Sequence, residues 1–200
     1  FIDALNIIPK RLLDFLRVIE SHYVHENPYH NNIHAADVLQ TTHSLLEQMD
    51  ANRYTSVSPV HLFSLLLGAA IHDVGHPGTN NDFQMRSYSQ KALMYNDTSI
   101  LENYHASLAF RLIVGEKGDS DLNFFSSMKH DDFLKCRRLI IQAVLGTDMS
   151  VHFKNIDLIN NLSYSSSDDD SSTDDNDSKT PWINDDRMVW EFLIFLMHTA

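Results

Sequence analysis

Apolar side chains recur at the spacing of a helix through most of the chain. Two clear series are Leu12, Leu13, Leu16 and Ile19, and Leu134, Leu139, Ile140 and Val144. The strict alternation of half-buried strands is scarce. Ser58 followed by Pro59 is typical of a helix start, and the run from Gly75 to Gly78 is expected to end the helix that carries His72.

These patterns predict an all-α, compact multi-helix bundle. The expected helices cover residues 10–22, 31–49, 59–73, 99–114, 131–145, 149–161 and 185–199. No internal repeat interrupts them. A chain of 200 residues is long enough to bury one substantial core, so we expect one domain over residues 1–200.

Composition narrows the classes of function. The formal net charge is −12, which argues against a surface that binds a nucleic acid polymer. The single cysteine, Cys136, cannot form an internal disulfide, so we expect an intracellular, cytoplasmic protein. The longest apolar run, residues 60–71, is too short to span a bilayer, although regions outside this chain could attach the protein to a membrane.

One segment differs from the rest of the chain. Residues 165–180 contain six Asp and one Lys, which leaves a charge of −7 for the remainder. The segment has almost no apolar side chains to offset its ordering entropy, so it is expected to be a disordered acidic Ser/Asp-rich insertion. A Ca²⁺ site or a phosphorylated switch is the alternative, but the regular ligand spacing and central Gly of a calcium loop are missing.

Two short segments carry candidate metal ligands. His30 and His34 lie four residues apart and can share a helix face, although polar residues on a helix surface would look the same. His72 and Asp73 follow the apolar run LLLGAAI, and burying them without partners would be costly. Imidazole and carboxylate suit Zn²⁺, and Asp can bridge to a harder ion. The alternative is that both residues cap the helix end.

Together the segments are more specific than either is alone. PYHNNIHAADV, HDVGHPGTNNDF, ALMYNDTSILEN and GTDMSVHF, in this order, resemble the catalytic domain of the class I 3′,5′-cyclic nucleotide phosphodiesterases. The resemblance runs from about Asn27 to His152. It implies an all-helical fold, a tightly held Zn²⁺ and a second ion, Mg²⁺ or Mn²⁺. It also implies metal-dependent hydrolysis of cAMP, cGMP or both to the 5′-monophosphate.

The resemblance assigns roles to individual residues. It makes His34, His72 and Asp73 ligands of Zn²⁺, with Asp73 bridging to the second ion, and it makes His30 the proton donor to the leaving O3′. His76 would hydrogen-bond near the bridging hydroxide, and Tyr29 could line the substrate pocket. Four residues would hold water ligands of the second ion, with Asn81 orienting the first of them: Glu102, His105, Thr147 and Asp148.

Several of these residues also have a purely structural interpretation. Ser99 to Glu102 fits a capping box, Asp148 could start the helix expected after it, and Tyr29 could simply pack. Five other histidines are expected to be exposed or structural: His22, His25, His43, His61 and His130.

The chain also departs from the family pattern. The family places a fourth Zn²⁺ ligand, an Asp, directly after a His-x-Ala stretch, which here is His198 to Ala200. The base-recognising glutamine of the family lies further on. We therefore expect a partial catalytic domain that is inactive and poorly soluble as an isolated 200-residue fragment. A further departure is Gly75, a position that is often acidic in the family.

Two other classes of function stay open at this point. One is another metal-dependent nucleotide phosphohydrolase of the His-Asp superfamily, and the other is a non-catalytic nucleotide-binding or interaction domain. Apart from the cyclic nucleotide, with a slight preference for cAMP, a homodimer or regulatory domains are conceivable partners in the full-length protein.

Overall fold

The computed structural model describes residues 1–49, 57–115, 118, 120–151, 156–157 and 186–200. Its helices, numbered in chain order, are α1 (Pro9–His22), α2 (Asn32–Gln48), α3 (Pro59–Ile71), α4 (Asn81–Arg86), α5 (Gln90–Tyr95), α6 (Ile100–Val114), α7 (His130–Leu145) and α8 (Asp186–Thr199). A 3₁₀ turn covers Met149–Val151. The prediction of an all-α bundle is confirmed.

The apolar series place six of these helices, α1 to α3 and α6 to α8, within a few residues of their bounds. Two short helices, α4 and α5, were not predicted. The helix expected at 149–161 was wrong at its start, where the 3₁₀ turn lies, and residues 152–155 and 158–161 are outside the described part. The acidic segment at 165–180 also lies outside the described residues.

The core is built around α3, which packs against α2, α7 and α8. Both expected signals set its start, since Ser58 caps it and Pro59 occupies its first turn. Gly68 lets α3 approach α7 closely, because a Cβ atom there would lie 2.9 Å from the Cβ atom of Ala143. The side chains of α3 are buried on nearly every face, which places its C-terminal end deep inside the bundle.

No helix among the described ranges is long and apolar enough to cross a membrane.

Candidate metal centre

The site begins at the C-terminal end of α3. His72 is the C-cap of this helix, and its Nδ1 donates a hydrogen bond to the carbonyl oxygen of Ala69 at 2.8 Å. A carbonyl only accepts, so the proton lies on Nδ1 and the lone pair of Nε2 is free to bind a cation. Asp73 follows directly and is 8% exposed. Burial opposes ionisation of Asp73, but His72, His30 and His34 lower its pKa overall.

The start of α2 supplies the second element of the site. Asn31 caps this helix, since its side chain accepts hydrogen bonds from the backbone N–H groups of Ile33 and His34. His34 thus sits in the first turn and points at the end of α3. Its Nε2 lies 3.2 Å from Nε2 of His72 and 3.4 Å from Oδ2 of Asp73.

These three atoms are spaced like ligands of one ion. Nε2 of His72 lies 3.2 Å from Oδ2 of Asp73, so all three edges of the triangle with His34 measure 3.2–3.4 Å. Ligand bonds of about 2.05 Å in a tetrahedral site put neighbouring ligand atoms about 3.3 Å apart. The donor set therefore fits a tetrahedral divalent cation.

His30 meets the same carboxylate differently. It lies just before α2, and its Nδ1 is 2.8 Å from Oδ2 of Asp73. His30, His34 and Asp73 can be grouped as a possible cation site, since their ligand atoms lie within 4.8 Å of one another. However, 2.8 Å is too short for two ligands of one tetrahedral ion and is the length of a hydrogen bond to a charged group. We interpret His30 as a donor to Asp73.

Two further histidines, His76 and His105, lie beside Asp73, and ligand atoms of the three residues lie within 4.8 Å of one another. Nδ1 of His76 accepts a hydrogen bond from the backbone N–H of Gly78 at 3.0 Å, so the proton of the neutral ring lies on Nε2 and makes it a donor. His105 has the reverse arrangement, because its Nδ1 donates to the carbonyl oxygen of Val74 at 2.7 Å. Burial lowers the pKa of His76 to about 4 and that of His105 to about 3, which keeps both rings neutral near pH 7.

The free nitrogen of His105 points to a second bound group. Its Nε2 is buried, has no hydrogen-bond partner among the described residues, and lies 3.8 Å from Oδ1 of Asp73. Both atoms are acceptors, so a water molecule or a cation between them would satisfy both. Asp73 thus presents Oδ2 to Nε2 of His34 and of His72, and Oδ1 to Nε2 of His105.

Asn81 organises the start of α6. Its Oδ1 accepts the backbone N–H of Leu101 and its Nδ2 donates to Oε2 of Glu102, both at 2.9 Å. Asn81 therefore contacts Glu102 directly, as its expected role in orienting that residue requires. Burial raises the pKa of Glu102, and the fields of Asp148 and Asp73 raise it further, so a nearby cation would favour its ionised form.

The capping box considered as a structural alternative at the start of α6 does not form. Ser99 has φ 40° and ψ 55°, and its hydroxyl makes no capping bond within the part of the chain that is described. Instead it donates to Oδ2 of Asp148 at 2.6 Å. Asp148 does start a helical turn as suggested, because its Oδ1 accepts the backbone N–H of Ser150, but that turn is the short 3₁₀ helix. The hydroxyl of Thr147 donates to the carbonyl oxygen of Val144.

A single cavity of about 560 Å³ brings the predicted site residues together. It is lined by all eleven of them: Tyr29, His30, His34, His72, Asp73, His76, Asn81, Glu102, His105, Thr147 and Asp148. Tyr29 lies at the rim of the cavity and is 60% exposed. The centroid of the Tyr29 ring is 4.3 Å from that of the His34 ring. Sequence reasoning missed apolar lining residues such as Val38 and Met149, although Val38 lies four residues after His34 and Met149 directly follows Asp148.

The five histidines expected to be exposed or structural do not line this cavity. His22, His25, His43 and His130 are exposed. His61 is buried, accepts the backbone N–H of Ser58 to cap α3, and packs against Trp190. These positions agree with the expectation that they are exposed or structural.

The fold and the cavity define a class: an all-helical domain with a His/Asp cluster suited to divalent cations. Comparison with known families makes the class specific. The family model of the 3′5′-cyclic nucleotide phosphodiesterases matches residues 29–200. The chain therefore belongs to the 3′5′-cyclic nucleotide phosphodiesterase family.

Individual relatives agree with this assignment. The human dual specificity calcium/calmodulin-dependent 3′,5′-cyclic nucleotide phosphodiesterase 1B is 42% identical over 146 residues, which are 72% of this chain and 26% of the relative. The human 1C protein of the same description is 41% identical over 156 residues, 78% of this chain and 21% of that protein. This chain thus spans about a quarter of the length of these curated relatives.

A solved structure extends the similarity to nearly the whole chain. The phosphodiesterase domain of the RhoPDE fusion protein from the choanoflagellate Salpingoeca rosetta superimposes with a TM-score of 0.79 at 32% identity. The match covers 99% of this chain and 56% of that structure.

Proposed function

We propose that the protein containing this chain hydrolyses 3′,5′-cyclic nucleotides, cAMP, cGMP or both, to nucleoside 5′-monophosphates. The observation that carries the proposal is the triangle of ligand atoms from His34, His72 and Asp73, with edges of 3.2–3.4 Å, beside a histidine that is not part of it. Such a site combines a cation with a separate proton donor, which is what cleavage of a phosphate ester requires.

The residues present fit the two cations that the family implies. His34, His72 and Asp73 would hold Zn²⁺ through Nε2, Nε2 and Oδ2. Mg²⁺ or Mn²⁺ would lie on the Oδ1 side of Asp73, where four groups would hold its water ligands: Glu102, His105, Thr147 and Asp148. When bound, the two cations supply an acidified water and neutralise charge on the phosphoryl oxygens.

His30 would supply the proton that the leaving group needs. Its Nδ1 is held by Oδ2 of Asp73 at 2.8 Å, which fixes the ring and leaves Nε2 on the other side. In the imidazolium form, Nε2–H donates its proton to O3′ as the ester bond to phosphorus breaks. The proton on Nδ1 stays on the ring and remains hydrogen-bonded to Oδ2 of Asp73. General acid catalysis of this kind contributes about 10²- to 10⁴-fold in rate.

Two rings hold His30 in its place. The ring of His76 stacks on it at 3.9 Å between centroids with an interplanar angle of 21°, and Tyr29 meets its edge at 4.9 Å. A stacked ring limits rotation about the side-chain torsions, so the donor stays in the geometry that proton transfer needs. Nε2–H of His76 is then available to donate a hydrogen bond in the same cavity.

Cyclic nucleotide turnover by the full-length protein tests the proposal. Incubation with cAMP or with cGMP, in the presence of Zn²⁺ and Mg²⁺, should yield the 5′-monophosphate, and water labelled with ¹⁸O should place the label on phosphorus. The curated relatives described as dual specificity are the reason to assay both substrates. We propose an intracellular location for the protein, because cAMP and cGMP are intracellular messengers. The reduced, buried Cys136 is consistent with that location.

The same assay separates the two alternative classes of function. Hydrolysis of nucleoside monophosphates or linear diesters, with cyclic nucleotides left intact, would assign the chain to another branch of the His-Asp phosphohydrolases. Binding of a cyclic nucleotide without turnover, in a preparation shown to contain both cations, would identify a non-catalytic binding domain.

A further inference from the structure

Ser99 directly precedes α6 and has an unusual backbone conformation. A residue at this capping position normally has an extended backbone, whereas Ser99 has φ 40° and ψ 55°. Residues other than glycine seldom adopt this left-handed region. The side-chain amide of Asn103 donates to the carbonyl oxygens of Thr98 and Ser99, so the surrounding structure holds the conformation in place. Backbone strain of this kind concentrates at functional sites.

Asn81, and not Ser99, caps the start of α6. Oδ1 of Asn81 accepts the backbone N–H of Leu101 at 2.9 Å, a bond that a serine at the cap would ordinarily accept itself. The hydroxyl of Ser99 is therefore free to reach the segment after α7, where it donates to Oδ2 of Asp148 at 2.6 Å.

Asp148 is held by two donors as a result. Its Oδ2 accepts from Ser99 and its Oδ1 accepts from the backbone N–H of Ser150 at 2.8 Å. Burial acts to raise the pKa of Asp148, but these hydrogen bonds lower it overall, so the carboxylate stays ionised. Asp148 is 6% exposed and lines the cavity that contains Asp73.

We propose that Ser99 is a positioning residue for the second divalent cation, acting through Asp148. Its hydroxyl fixes the plane of the Asp148 carboxylate and ties the start of α6, which carries Glu102, to the segment that carries Asp148. The two carboxylates thereby keep a fixed separation across the cavity. This inference rests on the proposed function, because it concerns the cation site which that function requires.

Manganese binding by the full-length protein tests this role. Free Mn²⁺ can be followed by electron paramagnetic resonance during titration of protein that retains its tightly bound metal. Ser99→Ala should weaken Mn²⁺ binding by about 10- to 100-fold, the usual effect of removing a group that orients a ligand. Ser99→Gly removes the same hydroxyl and tolerates a positive φ, so it should show the same loss even if Ser99→Ala folds poorly.

A matched control separates positioning from general damage. Ser89 caps α5 by accepting the backbone N–H of Ala92 at 3.1 Å, and it does not line the cavity. Ser89→Ala therefore loses a hydroxyl contact at a helix start and should leave Mn²⁺ affinity unchanged. In an Asp148→Asn background, Ser99→Ala should cause little additional loss, because the carboxylate that it positions is already gone.

Several results would overturn the inference. Wild-type Mn²⁺ affinity in both Ser99 variants would do so, as would an equal loss in Ser89→Ala or a full additional loss on top of Asp148→Asn. If the wild-type protein binds no Mn²⁺ and turns over no cyclic nucleotide, the proposed function itself fails. Normal turnover together with unaffected Ser99 variants refutes only the role of Ser99.

Discussion

The two hydrogen bonds of the Asn81 side chain allow a prediction with a defined magnitude. Asn81→Ala removes the bond that caps α6 and the bond to Glu102. A lost helix cap costs about 1 kcal/mol, and a lost hydrogen bond to a charged group costs about 1.5–3 kcal/mol. The free energy of unfolding should therefore fall by about 2.5–4 kcal/mol.

The neighbouring residue provides the control. Asn80 caps α4 through one bond, from the backbone N–H of Phe83 to Oδ1 at 2.9 Å, so Asn80→Ala should cost only about 1 kcal/mol. The difference between the two variants isolates the bond to Glu102. Urea unfolding of metal-free protein measures both values, and Mn²⁺ titration should show weaker binding only for Asn81→Ala.

A small difference would refute this reasoning. If the two alanine variants lose the same stability to within about 0.5 kcal/mol, the usual error of such comparisons, the Asn81–Glu102 bond contributes nothing measurable. Retention of full Mn²⁺ affinity in Asn81→Ala would show in addition that Glu102 does not need this bond to serve the cation site.

Three further predictions concern the same region. His34→Ala should lose bound Zn²⁺, whereas His30→Ala should retain it and slow turnover by about 10²- to 10⁴-fold; equal loss of Zn²⁺ in metal analysis would disprove the two roles. Gly75→Ala should reduce stability by at least about 1–2 kcal/mol in chemical unfolding, because φ is +72° and a Cβ atom would lie 2.9 Å from Cδ2 of Leu108. His105 has its pKa lowered to about 3 in the folded protein, so only the unfolded chain takes up a proton there as the pH falls through its ordinary value of about 6.5. Between about pH 7.5 and about pH 5.5 the metal-free protein should therefore lose about 1.4 kcal/mol through this group, and that loss should be absent from His105→Gln; an identical pH dependence of the two proteins would contradict it.

The long helices could be predicted because each buries a face with regular apolar spacing. The short helices α4 and α5 could not, since six residues each provide too few turns for a periodic pattern. Their starts are instead marked by capping side chains, Asn80 and Ser89. These capping residues are the signal in the sequence that could have found the two helices.

Residue chemistry alone predicts the residue types of the candidate site but leaves His30 and His34 equivalent. The resemblance to the family assigned them different roles, and the distances of 2.8 Å and 3.4 Å to Oδ2 of Asp73 agree with a hydrogen-bond donor and a ligand, respectively. The capping box at Ser99 failed for a related reason. A local pattern cannot reveal that Asn81, eighteen residues earlier, accepts the backbone N–H that a capping side chain at Ser99 would accept.

The end of α3 shows that the stability of this helix and the chemistry of the site depend on the same bonds. The last carbonyl groups of a helix lack partners within it, and here one site side chain and one buried tyrosine outside the site provide them: Ala69 accepts a hydrogen bond from Nδ1 of His72, and Ala70 accepts one from the hydroxyl of Tyr23. Just beyond the helix, Val74 receives Nδ1 of His105. A substitution that frays this turn would break the hydrogen bonds of His72 and of His105 together. Variants in which only one of the two rings has lost its bond should therefore be rare. Substitutions intended to change the metal preference should therefore be made at His34 on α2. The side chain of His34 does not cap its helix, which Asn31 does instead.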